Sequence, residues 1–126
     1  MSALAQLFVG FAAALHVLFF ALESVLFMRP DVHRRFGLRT REDAELVRPM
    51  AYNQGFYNLF LAAGAVGGLV WAAGSGSDTG GTAVAGFACA VMLGAAVVLV
   101  TTSRRFLPAA LVQGLPPLVA LLLILS

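Results

Sequence analysis

The sequence predicts an all-α integral membrane protein, a bundle of four transmembrane helices with antiparallel neighbours and short loops. Three observations carry this. The 126 residues are 60% hydrophobic and 11% charged, whereas an ordinary soluble domain carries about 25% charge. Mean hydropathy is +0.91. Four apolar segments, 3–28, 50–73, 82–102 and 106–125, each reach the ~20 residues needed to cross a hydrocarbon core. The chain therefore reads as a single transmembrane domain over 1–126 with one sizeable loop, 29–49.

Segment one has no basic stretch before it and no small-residue cleavage site after it, so it reads as a retained helix and not as a signal peptide. Loop one holds Arg29, Arg34, Arg35, Arg39, Arg41 and Arg48. Within it, Thr40 stands just ahead of Glu42 and Asp43, a capping pattern with acids in the first turn. This predicts a short helix that begins near Arg41 and runs into segment two, kinked at Pro49. The loop's charges most simply face solvent and lipid headgroups. Loop two, from Gly74 to Gly81, holds only Asp78 and makes segments two and three antiparallel neighbours. Loop three holds Arg104 and Arg105, so all eight basic residues lie in loops one and three. The positive-inside rule then places those loops in the cytoplasm and both termini outside the inner (plasma) membrane.

Charge and cysteine usage exclude other classes. A net charge of +2 is too small for a nucleic-acid footprint. The single cysteine, Cys89, builds neither a disulfide framework nor a cysteine-based zinc site. His16 and Glu23, at i and i+7, are too far apart to chelate one ion without a third strong ligand, and His33 lies in loop one. No metal or other cofactor is expected.

Segments two and three are rich in small residues. Gly64 and Gly68 form a GxxxG pair, and Gly86, Ala90 and Gly94 repeat at four-residue spacing. Such stripes let backbones approach in lipid, where packing replaces the hydrophobic effect as the driving force. They suit closure of the bundle and joining of protomers into a homo-oligomer alike.

Polar side chains inside apolar segments point to a site, because an acid at the membrane centre is disfavoured by about 2.5–3.5 kcal/mol on insertion scales. His16 lies near the middle of segment one, and Glu23 returns to the same helical face about 10 Å further along. Segment two opens with Tyr52, Asn53, Gln54, Gly55, Phe56, Tyr57 and Asn58. Asn53 and Tyr57 share one stripe that continues toward Gly64 and Gly68, which aims them at a helix contact; Gln54 and Asn58 share the adjacent one. Segment four adds Gln113 and Gly114, then Pro116 and Pro117, whose missing N–H groups release the carbonyls of Val112 and Gln113. Depth counting puts Glu23, Asn58 and Gln113 in one layer, with His16 nearer the midplane. Phe19, Phe20, Phe27, Phe56 and Phe60 read as packing, and Tyr52 and Trp71 as interface anchors.

The stretches HVLFFALESVLF, NQGFYNLFLAAG and QGLPPLVALL resemble the pattern of small bacterial four-helix membrane proteins classed as domain of unknown function 1304. The likeness covers nearly the whole chain, and its most specific part is the second stretch. The resemblance implies the four-helix architecture and a recurring polar pattern at His16, Glu23, Asn53, Gln54, Tyr57, Asn58, Gln113 and Gly114. It implies no activity. Pro117 departs from the small residue more usual there.

The residues suit a cofactor-free acid–base enzyme, of isomerase, cyclase or lyase type, acting on a hydrophobic small molecule within the lipid bilayer. Glu23 and His16 would be catalytic, and Asn53, Gln54, Tyr57, Asn58 and Gln113 would bind substrate. No nucleophile elbow, phosphate loop or redox-cofactor motif is present. Two other readings use the same residues: a small proton-coupled multidrug-type transporter built around Glu23, and a structural or accessory subunit. In the latter the amides only join helices, at about 0.6 kcal/mol each.

Overall fold

A backbone amide that cannot reach water must be satisfied within the protein, and in lipid only helices and closed barrels meet that demand. The computed structural model describes residues 1–126, and it meets the demand with helices alone. Helix α1, Ala3–Phe20, passes directly into a π-turn, Ala21–Val25; α2 is the single turn Pro30–His33, followed by a 3-10 turn, Arg34–Phe36. Helix α3 spans Arg41–Gly74 and α4 spans Thr79–Thr102; a second 3-10 turn, Arg104–Phe106, leads into α5, Leu107–Leu125. Four stretches are long and apolar enough to cross a membrane: Ala3–Val25, Arg41–Gly74, Thr79–Thr102 and Arg104–Leu125.

The first helical stretch stops at Val25, short of the expected Met28, because the π-turn closes there with the Leu26 N–H donating to the Ala21 carbonyl at 2.8 Å. The helix expected from Arg41 is present. The Asp43 N–H donates to Thr40 Oγ1 at 3.2 Å, satisfying one of the four orphan donors at the helix start. Glu42 and Asp43 lie in that first turn, where the helix dipole favours acids. Helix α3 then continues for 34 residues and passes through Pro49 without a break.

The chain forms two compact units. The first comprises Met1–Leu15 and Leu61–Ser126. Its core draws on all four long helices: Val9, Ala12 and Ala13 of α1; Ala62 and Ala65 of α3; Ala85, Ala88, Cys89 and Met92 of α4; and Ala120 of α5. Most of these side chains are a single methyl, so backbones pack directly. A β-carbon on Gly68 would stand 2.6 Å from the Ala85 nitrogen and 2.7 Å from the Gly81 carbonyl oxygen, and one on Gly81 would meet the backbone of Ala72. Helices α3 and α4 therefore touch main chain to main chain, as half of the predicted GxxxG pair requires. In the adjoining turn the Met1 ammonium pairs with the Asp78 carboxylate. That bond, with one from the Thr82 hydroxyl, holds the Asp78 carboxyl below the usual carboxylate range.

The stripe of Gly86, Ala90 and Gly94, which suited bundle closure and protomer contact alike, is not the seam within the chain. Ala90 and Gly94 are exposed, and the buried face of α4 is Gly81, Ala85, Ala88, Cys89, Met92 and Ala96. The reason is geometric. A strict four-residue repeat drifts about 40° per step around an α-helix, whereas alternating steps of three and four stay on one face. Pro116 and Pro117 are both buried inside α5, which runs through them.

The second unit, His16–Phe60, contains the end of α1, the π-turn, the loop and the first half of α3. Phe27, Ala44 and Ala51 form its core, with Met28, Leu38 and Val47 packed against them. Aromatic rings continue the packing: Phe56 is edge-on to Phe20 at 5.1 Å and tilted against Tyr52 at 5.0 Å. The loop closes on itself through His33, which is buried. Its Nδ1–H donates to the Leu38 carbonyl at 2.6 Å, and the Leu38 N–H returns a bond to the His33 carbonyl at 3.1 Å. Gly37, at φ 82°, supplies the left-handed turn this closure needs.

Candidate functional site

The site lies in the second unit and follows from one face of α3. Ala44, Ala51, Gly55 and Asn58 recur with spacings that keep them on one stripe; the first three are buried and Asn58 is half-buried. Opposite Gly55 stands Ser24, whose hydroxyl donates to the Tyr52 carbonyl of α3 at 2.7 Å. A β-carbon at Gly55 would run into that hydroxyl oxygen. Glycine here is thus the condition for a serine-to-backbone bond that holds the end of the first span against α3.

One turn further along α3, the Asn58 Nδ2–H donates to Glu23 Oε2 at 3.1 Å. Both side chains are half-buried. The carboxylate accepts and the amide nitrogen donates, which fixes the amide's orientation. Glu23 and Ser24 are adjacent in sequence yet both reach α3, and the π-turn that contains them allows it. A π-turn winds more slowly than an α-helix, so consecutive side chains diverge less in direction. Such turns are rare and concentrate at functional positions.

His16 is completely buried, its ring edge-on to Phe19 at 5.3 Å. Asn53, Gln54 and Tyr57 are exposed, with Tyr57 at 59%. The expectation that Asn53 and Tyr57 face a helix contact within the chain is thereby corrected. The stripe through Ala51, Gly55 and Asn58 takes the inward face, and Asn53 and Tyr57 lie more than about 100° around the helix from that stripe's centre, so they turn outward. Gln113 is half-buried on α5, in the first unit. That unit also carries an apolar groove of about 300 Å³, lined by Phe11 and Leu15 of α1 and by Leu111, Val112, Leu115 and Pro116 of α5.

Ser24 and Gly55 were not among the predicted site residues. The signal for them was the spacing of Ala44, Ala51 and Gly55, which leads to Asn58 along one face. No three His, Cys, Asp or Glu side chains gather as a group that could hold a metal ion. Chemically, the arrangement is a single carboxyl in an apolar span, one oxygen held by a neutral amide. It can give or take a proton without a second charge beside it.

No curated protein matches the chain, and no solved structure does. The family described as protein of unknown function (DUF1304) matches residues 10–125, a span that includes Glu23, Ser24, Gly55 and Asn58, and the chain belongs to that family.

Proposed function

We propose that the protein is an intramembrane acid–base enzyme, of isomerase, cyclase or lyase type, acting without a cofactor on a hydrophobic small molecule. The observation that carries this is the Glu23 carboxyl presented from a π-turn in an apolar span and held by Asn58 at 3.1 Å. A group with an insertion penalty of about 2.5–3.5 kcal/mol at the membrane centre is a functional candidate by default. Its presence at a helix irregularity, not in a regular turn, favours a positioned reactive group over simple helix-joining. Glu23 would take a proton from one atom of the substrate and return it to another, with His16 as its proton partner. Asn58 fixes the carboxyl. Gln54, on the stripe of α3 that it shares with Asn58, would bind a polar group of the substrate.

The test is the lipid-metabolite profile of cells producing wild type, Glu23→Gln or His16→Ala, read beside each variant's melting temperature. Glu23→Gln is expected to erase the change that wild type makes to the profile while remaining folded. If both variants lose several degrees of stability and the profile still matches wild type, the enzyme reading fails in favour of a structural subunit. Unchanged metabolites with retained stability and lost pH-dependent binding of a lipophilic cation would instead identify a transporter. The same reading sets both termini outside the inner membrane, supported by the confinement of all eight basic residues to loops one and three. A C-terminal reporter should be active only outside, and cytoplasmic activity would overturn the orientation.

A further inference from the structure

One tripeptide occurs twice. Arg34-Arg35-Phe36 and Arg104-Arg105-Phe106 have the same sequence and both adopt a 3-10 turn. Each lies where one candidate span gives way to the next, so each turn faces a leaflet surface when its neighbouring spans cross. The turns are locked by different local devices. In the first, the reciprocal His33–Leu38 bonds and Gly37 close the loop, and Phe36 leans on the core residue Phe27 at 5.6 Å. In the second, Ser103 Oγ accepts from the Arg105 N–H at 3.4 Å, and the Arg105 guanidinium lies 4.9 Å over the Phe106 ring.

All four arginines are exposed. The chain's own ion pairs are Met1–Asp78, Arg29–Asp31 and Arg41–Glu45, so none of the four is neutralised internally. Each turn therefore offers two exposed arginines, consecutive in sequence and followed by a phenylalanine; the first turn lies between the candidate spans that end at Val25 and begin at Arg41, the second at the start of the span Arg104–Leu125. Guanidinium forks match phosphate oxygens in bidentate fashion, and aromatic rings favour the headgroup layer. The leaflet surface that each turn faces is the source of phosphate nearest to it.

We infer that the two Arg-Arg-Phe turns are separate clamps for the phosphate headgroups of anionic phospholipid. The clamps need neither Glu23 nor its chemistry. Binding is read by native mass spectrometry of the full chain, released from micelles of equal phosphatidylglycerol and phosphatidylcholine. Wild type is expected to retain phosphatidylglycerol over phosphatidylcholine by about thirtyfold, the effect of a pair of surface arginines acting on one headgroup. Gln at Arg34 and Arg35, or at Arg104 and Arg105, should each remove part of that preference, and all four together should remove it entirely. Arg29→Gln and Arg41→Gln, which alter arginines already paired within the chain, should leave it intact.

Retention of the wild-type preference by the fourfold Gln variant would overturn the inference. So would an equal loss in the Arg29 and Arg41 controls, which would mean diffuse charge and no clamp. Lysine at all four positions keeps the charge and guards against misfolding; it should weaken the preference, and an unchanged preference would contradict bidentate binding. Inorganic phosphate or an acidic peptide displacing phosphatidylglycerol at equal concentration would show that the turns are built for a soluble partner instead.

Discussion

The two compact units solve the same problem, holding helices together without help from water, by opposite means. In the unit of Met1–Leu15 and Leu61–Ser126, the contact surface is methyl groups and glycine backbone. In the unit of His16–Phe60, it is aromatic rings, a serine hydroxyl bonded to a carbonyl, and a carboxyl bonded to an amide. Small residues give close packing with little polar chemistry available in the contact. Polar contacts in a dry setting add only about 0.6 kcal/mol each, so their concentration in one unit is poorly explained by stability. One unit is held by methyl groups and backbone, the other by rings and polar bonds.

The sharpest way to break this contrast is to crowd the first unit. Gly81→Ala places a methyl against the backbone of Ala72, where neither helix can yield by turning a side chain. It is expected to lower stability in detergent by about 3 kcal/mol, whereas Gly94→Ala, with open space around it inside α4, should be neutral or stabilising by up to about 1 kcal/mol. Equal effects would remove the backbone contact from consideration.

A smaller effect is expected at Gly55. Gly55→Ala should cost about 2 kcal/mol through its collision with Ser24, and Ser24→Ala about 1 kcal/mol through the lost bond to Tyr52. Because the two residues share one contact, the double variant should lose less than the sum of the single losses. Strict additivity in a double-mutant cycle would argue against the contact.

Smaller again is the cap of α3. Thr40→Ala removes the acceptor for the Asp43 N–H and should lower stability by about 1 kcal/mol, with local fraying seen as faster hydrogen exchange near residues 41–44. Unchanged exchange there would show that the cap does not hold the helix start.

Much of the architecture was legible because length and hydropathy dominate in lipid. Four long helices, the Thr40 cap and the polar pair Glu23 and Asn58 can all be read from residue types. The seams were harder. Spacing alone did not decide whether Gly86, Ala90 and Gly94 close the bundle or meet a second protomer, and Asn53 and Tyr57 lie more than about 100° around α3 from the centre of the face that packs. The faces that pack use alternating steps and consist largely of alanine, which carries little signal in a chain rich in alanine everywhere. The π-turn was not legible at all. Its residues, Ala21–Val25, suit an α-helix equally well, and the wider winding shows only in the bond from the Leu26 N–H to the Ala21 carbonyl, which accompanies the bonds of Glu23 and Ser24 to α3.

On the proposed reading, Glu23 is kept for its titrating carboxyl and not for holding helices. The melting temperature of Glu23→Gln in lipid nanodiscs tests this most directly and requires no substrate. The Gln oxygen can still accept from Asn58, and the acid's insertion penalty is gone. The variant is predicted to melt at or above the wild-type temperature. A fall of several degrees would show that the carboxylate itself holds the helices, contradicting the claim.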